Sequence, residues 1–252
     1  MPTQTPSTAC LLVIGNEILS GRTQDEHIPY FGKCLNKWGI HLLEVRVVAD
    51  NKEAIADAVN VCRARYTYLF TTGGIGPTHD DVTAAAIAKA LGLPLERHPR
   101  AIKILKAYYG AERINDARLR MAEMPKGAEL IANPVSKSPG FRVENVFVLP
   151  GPPLVLQPML AGIAHELTGG PPVLARAVSA ELGEGAIASG LEAIQEHHPE
   201  IEIGSYPYFR DGKLGVSIVV RGIKEAALSD TLQEVINLLK DLGGNPIAEV
   251  QD

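Results

Sequence analysis

Cysteine is scarce in this chain of 252 residues, and the three present, Cys10, Cys34 and Cys62, form no C-x-x-C pair. An odd number of thiols set in apolar patterns suggests neither a disulfide framework nor a zinc site, and a reducing cytoplasm is the expected compartment. Basic charge is also short, with 24 Lys and Arg against 29 Asp and Glu and a formal net charge of −5. Proteins that grip nucleic-acid backbones usually carry the opposite balance, so no nucleic-acid partner is expected. No apolar run is long enough to span a bilayer: the longest, 146–164, is broken by Pro150, Pro152, Pro153 and Pro158. Residues 1–8 lack the basic and apolar regions of a secretion signal and read as a frayed tail. Internal repeats, low-complexity segments, the G-x-S-x-G nucleophile motif, the Walker A sequence and the G-x-G-x-x-G fingerprint are all missing, which argues against covalent serine chemistry and the usual nucleotide folds.

What is present is an ordinary globular composition, 46% hydrophobic and 21% charged. A chain of this length buries on the order of 70–75% of its unfolded surface, ample for a self-supporting core. Short apolar runs alternate with amphipathic ones. Strands are expected at 9–14, 41–49, 66–72, 129–132 and 141–149. Helices are expected at 26–38 with Ile28, Phe31, Leu35 and Trp38 on one face, from the cap Asn51 through Cys62, at 83–91, once or twice within 99–125 with Asn115 as a cap, and at 154–167. This alternation predicts an α/β fold with a mostly parallel sheet covered on both faces, and a ligand site beyond the carboxyl ends of the strands. A turn-rich break at 168–172 separates residues 1–168 from residues 173–252. There the order becomes strand, helix, a hairpin of 201–207 with 213–220 around Asp211-Gly212, and a helix at 224–242, a small α+β domain.

The strongest chemical signal is the loop Thr71-Thr72-Gly73-Gly74-Ile75-Gly76-Pro77-Thr78-His79-Asp80-Asp81-Val82-Thr83, between a strand and a helix. Successive backbone N–H groups there can form a concavity for phosphate, assisted by the helix dipole; equally, three glycines can simply turn the chain. Asp80 and Asp81 would repel a phosphate unless a cation lay between them. One is therefore expected to cap the helix and the other to hold Mg²⁺ or a similar hard divalent ion; a cap with a solvated neighbour is the plainer alternative. Asp50, at the carboxyl end of a strand, and Glu17, in Gly15-Asn16-Glu17-Ile18-Leu19-Ser20-Gly21, could face the same crevice or only shape turns. Lys137 could meet a phosphate or remain solvated, and His197-His198 at a helix end reads as a capping pair before a metal site.

Four segments, Gly15–Gly21, Thr71–Thr83, Asn133-Pro-Val135 with Ser138-Pro-Gly-Phe141, and Leu149-Pro-Gly-Pro152, together resemble the molybdopterin-binding-domain superfamily. They most resemble the amino-terminal region of the competence/damage-inducible protein A (CinA) family. The resemblance covers 9–167, and the tail from 173 is similar to the small KH-type segment that follows in such proteins. It implies a three-layer α/β/α domain, akin to the MoaB and Mog proteins, that binds a pterin or nucleotide through its phosphate, in a homo-oligomer. It also implies divalent-metal-dependent hydrolysis of ADP-ribose, with Mg²⁺, Mn²⁺ or Co²⁺ as cofactor and molybdopterin as another ligand. By motif the two catalytic aspartates of the molybdenum-cofactor adenylyltransferases fall on Asp50 and Asp81, and phosphate contacts fall on Thr72, Gly73 and Gly74. The sequence departs from the family pattern at Ser136-Lys137-Ser138 and at Val155-Leu156, where an acidic residue is usual. No nicotinamide-nucleotide deamidase segment follows, so that activity is not expected.

The resulting expectation is a nucleotide diphosphate hydrolase with Asp50, Asp81 and Glu17 as catalytic groups and Asp80 and Asp81 as metal ligands. Gly15, Asn16, Thr72, Gly73, Gly74, Gly76, Pro77, Thr78, Ser138, Gly140, Pro150 and Gly151 are the expected ligand contacts. A non-catalytic pterin- or nucleotide-binding module and a molybdopterin adenylyltransferase are the alternatives, and no membrane partner is expected.

Overall fold

A computed structural model describes residues 6–210 and 212–249; residues 1–5 of the expected tail and Asp211 of the expected hairpin turn lie outside the described residues. The chain divides into two compact units, Met1–Gly170 and Pro171–Asp252.

The first unit runs β1 (Ser7–Ile14), α1 (Asn16–Leu19), α2 (His27–Lys37), β2 (Ile40–Val48), α3 (Lys52–Arg65), β3 (Tyr68–Thr72) and α4 (Thr83–Leu91). It continues with β4 (Leu95–Arg97), α5 (Pro99–Tyr109), α6 (Asp116–Arg120), β5 (Glu123–Pro125), β6 (Glu129–Ile131), β7 (Gly140–Val143), β8 (Val146–Leu149) and α7 (Pro153–Ile163). Six strands form one sheet in the order β2-β1-β3-β8-β7-β6, and β4 pairs with β5 apart from it. The pairs β1–β2, β1–β3 and β3–β8 are parallel, whereas β7 and β6 add antiparallel.

The alternation within β1 explains the layering. Cys10, Leu12 and Ile14 pack into a cluster with Ile55, Val59, Cys62 and Ile87 from α3 and α4. Ala9, Leu11 and Val13 pack into another with Phe31, Leu35, Leu156 and Leu160 from α2 and α7. Successive strand side chains point to opposite faces, so a strand apolar at every position from Ala9 to Ile14 must be covered on both sides. The result is a helix–sheet–helix sandwich.

Several expectations are corrected. Ser7 and Thr8 belong to β1, because they pair with Ile40 and His41, so the tail is shorter than residues 1–8. Residues 141–149 are a hairpin and not one strand. Glu144 takes φ 52, and the Asn145 amide, bonded to the carbonyls of Arg63 and Tyr66, anchors the reversal. Within 99–125 the two helices are followed by β5, which pairs with the equally unforeseen β4. On α2 the buried face is His27, Phe31 and Leu35, while Ile28 is exposed.

The second unit comprises β9 (Leu174–Ala180), α8 (Glu184–His197), β10 (Glu202–Arg210), β11 (Lys213–Gly222), α9 (Glu225–Asp241) and β12 (Ile247–Glu249). Its antiparallel sheet has the order β10-β11-β9-β12, with β12 as an edge strand the sequence did not reveal. Val178, Ile187, Val216, Ile218, Val220, Leu228, Val235 and Leu239 form its own core. His198 occupies the C-cap of α8, where its Nε2 lies 3.0 Å from Glu234 Oε1.

Candidate functional site

Because β1, β2, β3 and β8 are parallel, the loops after their carboxyl ends share one edge of the sheet. The chain passes from β1 to β2 on one side and then to β3 on the other, which makes the β1/β3 boundary the switch point where open α/β sheets bind ligands.

The loop after β3 is folded tightly onto its neighbours. Gly73 donates to the Leu149 carbonyl at 3.1 Å, and the backbone N–H of Thr83 returns to the Gly74 carbonyl at 3.0 Å. The Thr83 hydroxyl donates to the Gly73 carbonyl at 3.0 Å. Gly73 takes φ +96, and a Cβ there would lie 2.2 Å from the Ile14 carbonyl oxygen; Gly74 takes φ +66, and a Cβ would lie 2.2 Å from the Thr83 hydroxyl. Only glycine combines that backbone region with such a close approach.

The expected helix cap is not formed by either aspartate. Val82 occupies the N-cap of α4 and makes no side-chain cap bond. Asp81 Oδ2 accepts instead from the Thr78 backbone N–H at 2.8 Å and from the Thr78 hydroxyl, closing a local turn of 78–81. The Thr78 hydroxyl also favours the ionised Asp80; with Asp80's own backbone N–H and nearby His79, it holds the exposed Asp80 carboxyl below its ordinary value. Asp50 Oδ2 accepts from the Asn16 backbone N–H at 2.8 Å, tying the end of β2 to the loop after β1. The cap of α3 is Asn51, whose side chain accepts from Glu53 and Ala54.

These loops enclose a cleft of about 380 Å³ whose lining includes Glu17, Asp50, Asp80 and Asp81. Gly73, Gly74, Gly76, Thr78, Ser138, Pro150 and Gly151 line it as well, so catalytic candidates from three separate loops reach one space. Gly15, Asn16, Pro77, Thr72 and Gly140 are not among its lining residues. Thr72 is fully buried with its hydroxyl 3.3 Å from His27 Nδ1, and Gly140 is buried in β7 beside the Val148 carbonyl. Lys137 also stays out, its Nζ donating to the Pro134 carbonyl at 3.0 Å.

Sequence reasoning did not assign Ile14, Ile75, Met121, Asn133, Ser136, Pro152 and Val155 to the lining. Asn133 was the most legible of these: its Oδ1 accepts from Val135 and Ser136, and its Nδ2 donates to the Ser136 hydroxyl and the Ser138 carbonyl. One amide thus builds the whole loop, a habit of Asn in turns. Val155 supplies an apolar surface where the family resemblance implies a carboxylate. Across the glycine loop, a smaller hollow of about 180 Å³ is lined by Lys52, His79 and Arg120, together with Gly74, Gly76 and Asp81. The loop therefore lies between an acid-rich hollow and one in which Lys52 and Arg120 stand with Asp81 and Glu123.

Among the described residues no group of three or more His, Cys, Asp or Glu side chains could hold a metal by itself. The donor set suits a hard ion shared with a ligand, since Mg²⁺ is usually held by one or two carboxylates plus phosphate oxygens. Asp80 and Asp81 both line the cleft, and Asp81 Oδ1 accepts no hydrogen bond from the described residues. No helix among the described residues is long and apolar enough to cross a membrane.

Comparison with known proteins agrees with this architecture. The family described as "Probable molybdopterin binding domain" matches residues 10–169, and "FAD synthase, middle domain" matches residues 172–243. A protein of Caldivirga maquilingensis is 32% identical over 237 residues, 91% of this chain and 77% of that one. A CinA-like protein of Desulfovibrio desulfuricans is 28% identical over 247 residues, 94% of this chain but only 57% of its own length. The crystal structure of CinA from Thermoplasma acidophilum, described as of unknown function, is 31% identical with a TM-score of 0.61, over 64% of this chain and 99% of that one. The chain belongs to the molybdopterin-binding-domain family, and its relatives include the CinA-like proteins.

Proposed function

We propose that the first unit binds the diphosphate of a nucleotide such as ADP-ribose and hydrolyses it with the help of a divalent ion. The observation that carries this reading is the convergence of Asp50 and Asp81 with the glycine loop on one cleft. The backbone N–H groups of Gly74, Ile75 and Gly76 hold phosphate oxygens, and Lys52 and Arg120 across the loop offset the charge of the second phosphate. Asp80 and Asp81 hold the ion, which lowers the electrostatic cost of bringing carboxylates and phosphate together. Asp50, or Glu17 beside it, accepts a proton from water as its oxygen attacks phosphorus. The bridging P–O bond then breaks, and the departing phosphate leaves as a monoester, giving AMP and ribose 5-phosphate.

A binding module without turnover is the second reading. It is favoured by the Asp50 and Asp81 oxygens already engaged by the chain's own N–H groups, and by Val155 in place of an acid. One assay separates the two. Purified protein is incubated with ADP-ribose and Mg²⁺, Mn²⁺, Co²⁺ or no metal, and products are resolved by chromatography. The enzyme reading expects metal-dependent AMP release that falls by roughly 100-fold or more in Asp50→Asn and Asp81→Asn. Tight binding with no product selects the module, and neither binding nor product ends both.

A further inference from the structure

His27 opens α2, is buried, and takes no part in the chemistry above, yet it touches two of the segments that build the cleft. Its Nε2 lies 2.7 Å from the Gly151 carbonyl oxygen. A carbonyl oxygen only accepts, so Nε2 carries the hydrogen and donates it. Its Nδ1 faces the Thr72 hydroxyl at 3.3 Å, at the end of the strand that leads into Gly73. Asp25 stands behind the ring. One of its oxygens accepts from the Ile28 backbone N–H at 2.8 Å, fixing the helix start. The other is buried, has no hydrogen-bond partner, and lies 3.5 Å from His27 Nδ1.

We propose that His27 is a positioning residue that pins the Pro150–Gly151 rim of the cleft to the end of β3. The rim needs such a pin because Pro150 and Pro152, on either side of Gly151, have no backbone N–H with which to bond it down. The Gly73 N–H donates to the Leu149 carbonyl at 3.1 Å, just before Pro150, so a shift of the rim is felt at the phosphate loop. The ring donates into the rim from behind, and ligand meets the other side of the same residue.

The affinity arm of the test rests on the diphosphate-binding reading; a second arm uses ligand-free protein. His27→Phe fills the buried volume but loses both ring nitrogens, whereas His27→Gln keeps an N–H donor near the Nε2 position and packs less well. ADP-ribose binding by calorimetry is expected to weaken at least tenfold in His27→Phe and to return within about threefold of wild type in His27→Gln. A role in packing alone gives the opposite ranking, which overturns the proposal, as does equal affinity in all three. In ligand-free protein, the Gly73 amide, which donates to the Leu149 carbonyl just before the rim, is expected to exchange its hydrogen at least tenfold faster in His27→Phe than in wild type or His27→Gln. Unchanged exchange overturns the proposal even if ADP-ribose does not bind. Wild-type protein that fails to bind ADP-ribose while the exchange ranking holds removes the functional reading and leaves the pin standing.

Discussion

Gly73 carries two constraints at once, a left-handed backbone and a carbonyl where its side chain would be. Gly21 takes a similar φ, +73, with open space around its Cβ position, so it isolates the first constraint from the second. Gly21→Ala is expected to lose about 1–3 kcal/mol through backbone strain alone. Gly73→Ala adds a clash with the Ile14 carbonyl and is expected to melt several degrees lower than Gly21→Ala and to lose ADP-ribose binding. A melting temperature for Gly73→Ala at or above that of Gly21→Ala would contradict the close approach. Glu44 makes a different kind of prediction. Hydrogen bonds from the Tyr66 hydroxyl and Arg46 hold its carboxyl below the ordinary 4.5. A carboxyl depressed in the folded state contributes stability that is present above its unfolded value and is lost as pH falls through its folded value. Between pH 6 and pH 3 the wild-type melting temperature should therefore fall more steeply than that of Tyr66→Phe, which removes the largest cause of the depression.

At the scale of elements, caps offer the cleanest comparison. Asn51→Ala removes the acceptor for two N–H groups of α3 and is expected to cost about 1 kcal/mol, read as a lower urea midpoint at unchanged slope. Asp81→Ala is not expected to fray α4, because its carboxylate serves Thr78 and not the helix; helical circular dichroism that dropped in Asp81→Ala would reverse that assignment. Asn51 and Asn115 were legible as caps because each lies immediately before a helix, where its side chain accepts from N–H groups of the first turn that follows. Asp80-Asp81 looked like the same signal, but Thr78 three residues earlier offered a nearer partner, and local turns compete with helix starts for such side chains. The hairpin at Glu144-Asn145 was hidden for a related reason. Val143 and Val146 are both apolar and buried, so the run reads as one strand until the tertiary anchor of Asn145 is seen. His27 was masked by its type. It falls at positions 27, 31 and 35 of one helical face, but a polar residue there is passed over in favour of its apolar neighbour Ile28. The cleft itself was better read than its details, since glycine loops and strand-end carboxylates announce themselves, whereas lining residues such as Met121 and Val155 arrive only through folding.

The molecule as a whole divides its labour by sequence range. Every residue lining the acid-rich cleft lies between 14 and 155, within the first unit. The second unit has a separate core in which Val216, Ile218, Val220, Leu228, Val235 and Leu239 are completely buried. A segment of roughly 80 residues is near the size at which a single core is barely sufficient, because a small domain buries a smaller fraction of its unfolded surface. Four antiparallel strands with two helices still provide a sheet and helices around one core, and the β10–β11 hairpin keeps much of its pairing local in sequence. Residues 171–252 expressed alone are therefore expected to unfold cooperatively in urea, and residues 1–170 alone to bind ADP-ribose within about threefold of the full chain. Leu228→Ala in the full chain should remove roughly 2–5 kcal/mol from the second core while leaving that affinity unchanged, since the deleted methyl groups belong to a core distinct from those beneath the cleft. A broad, non-cooperative transition for 171–252 would mean that its core depends on the rest of the chain. Loss of ligand binding in residues 1–170 would mean that the site draws on residues beyond its own lining.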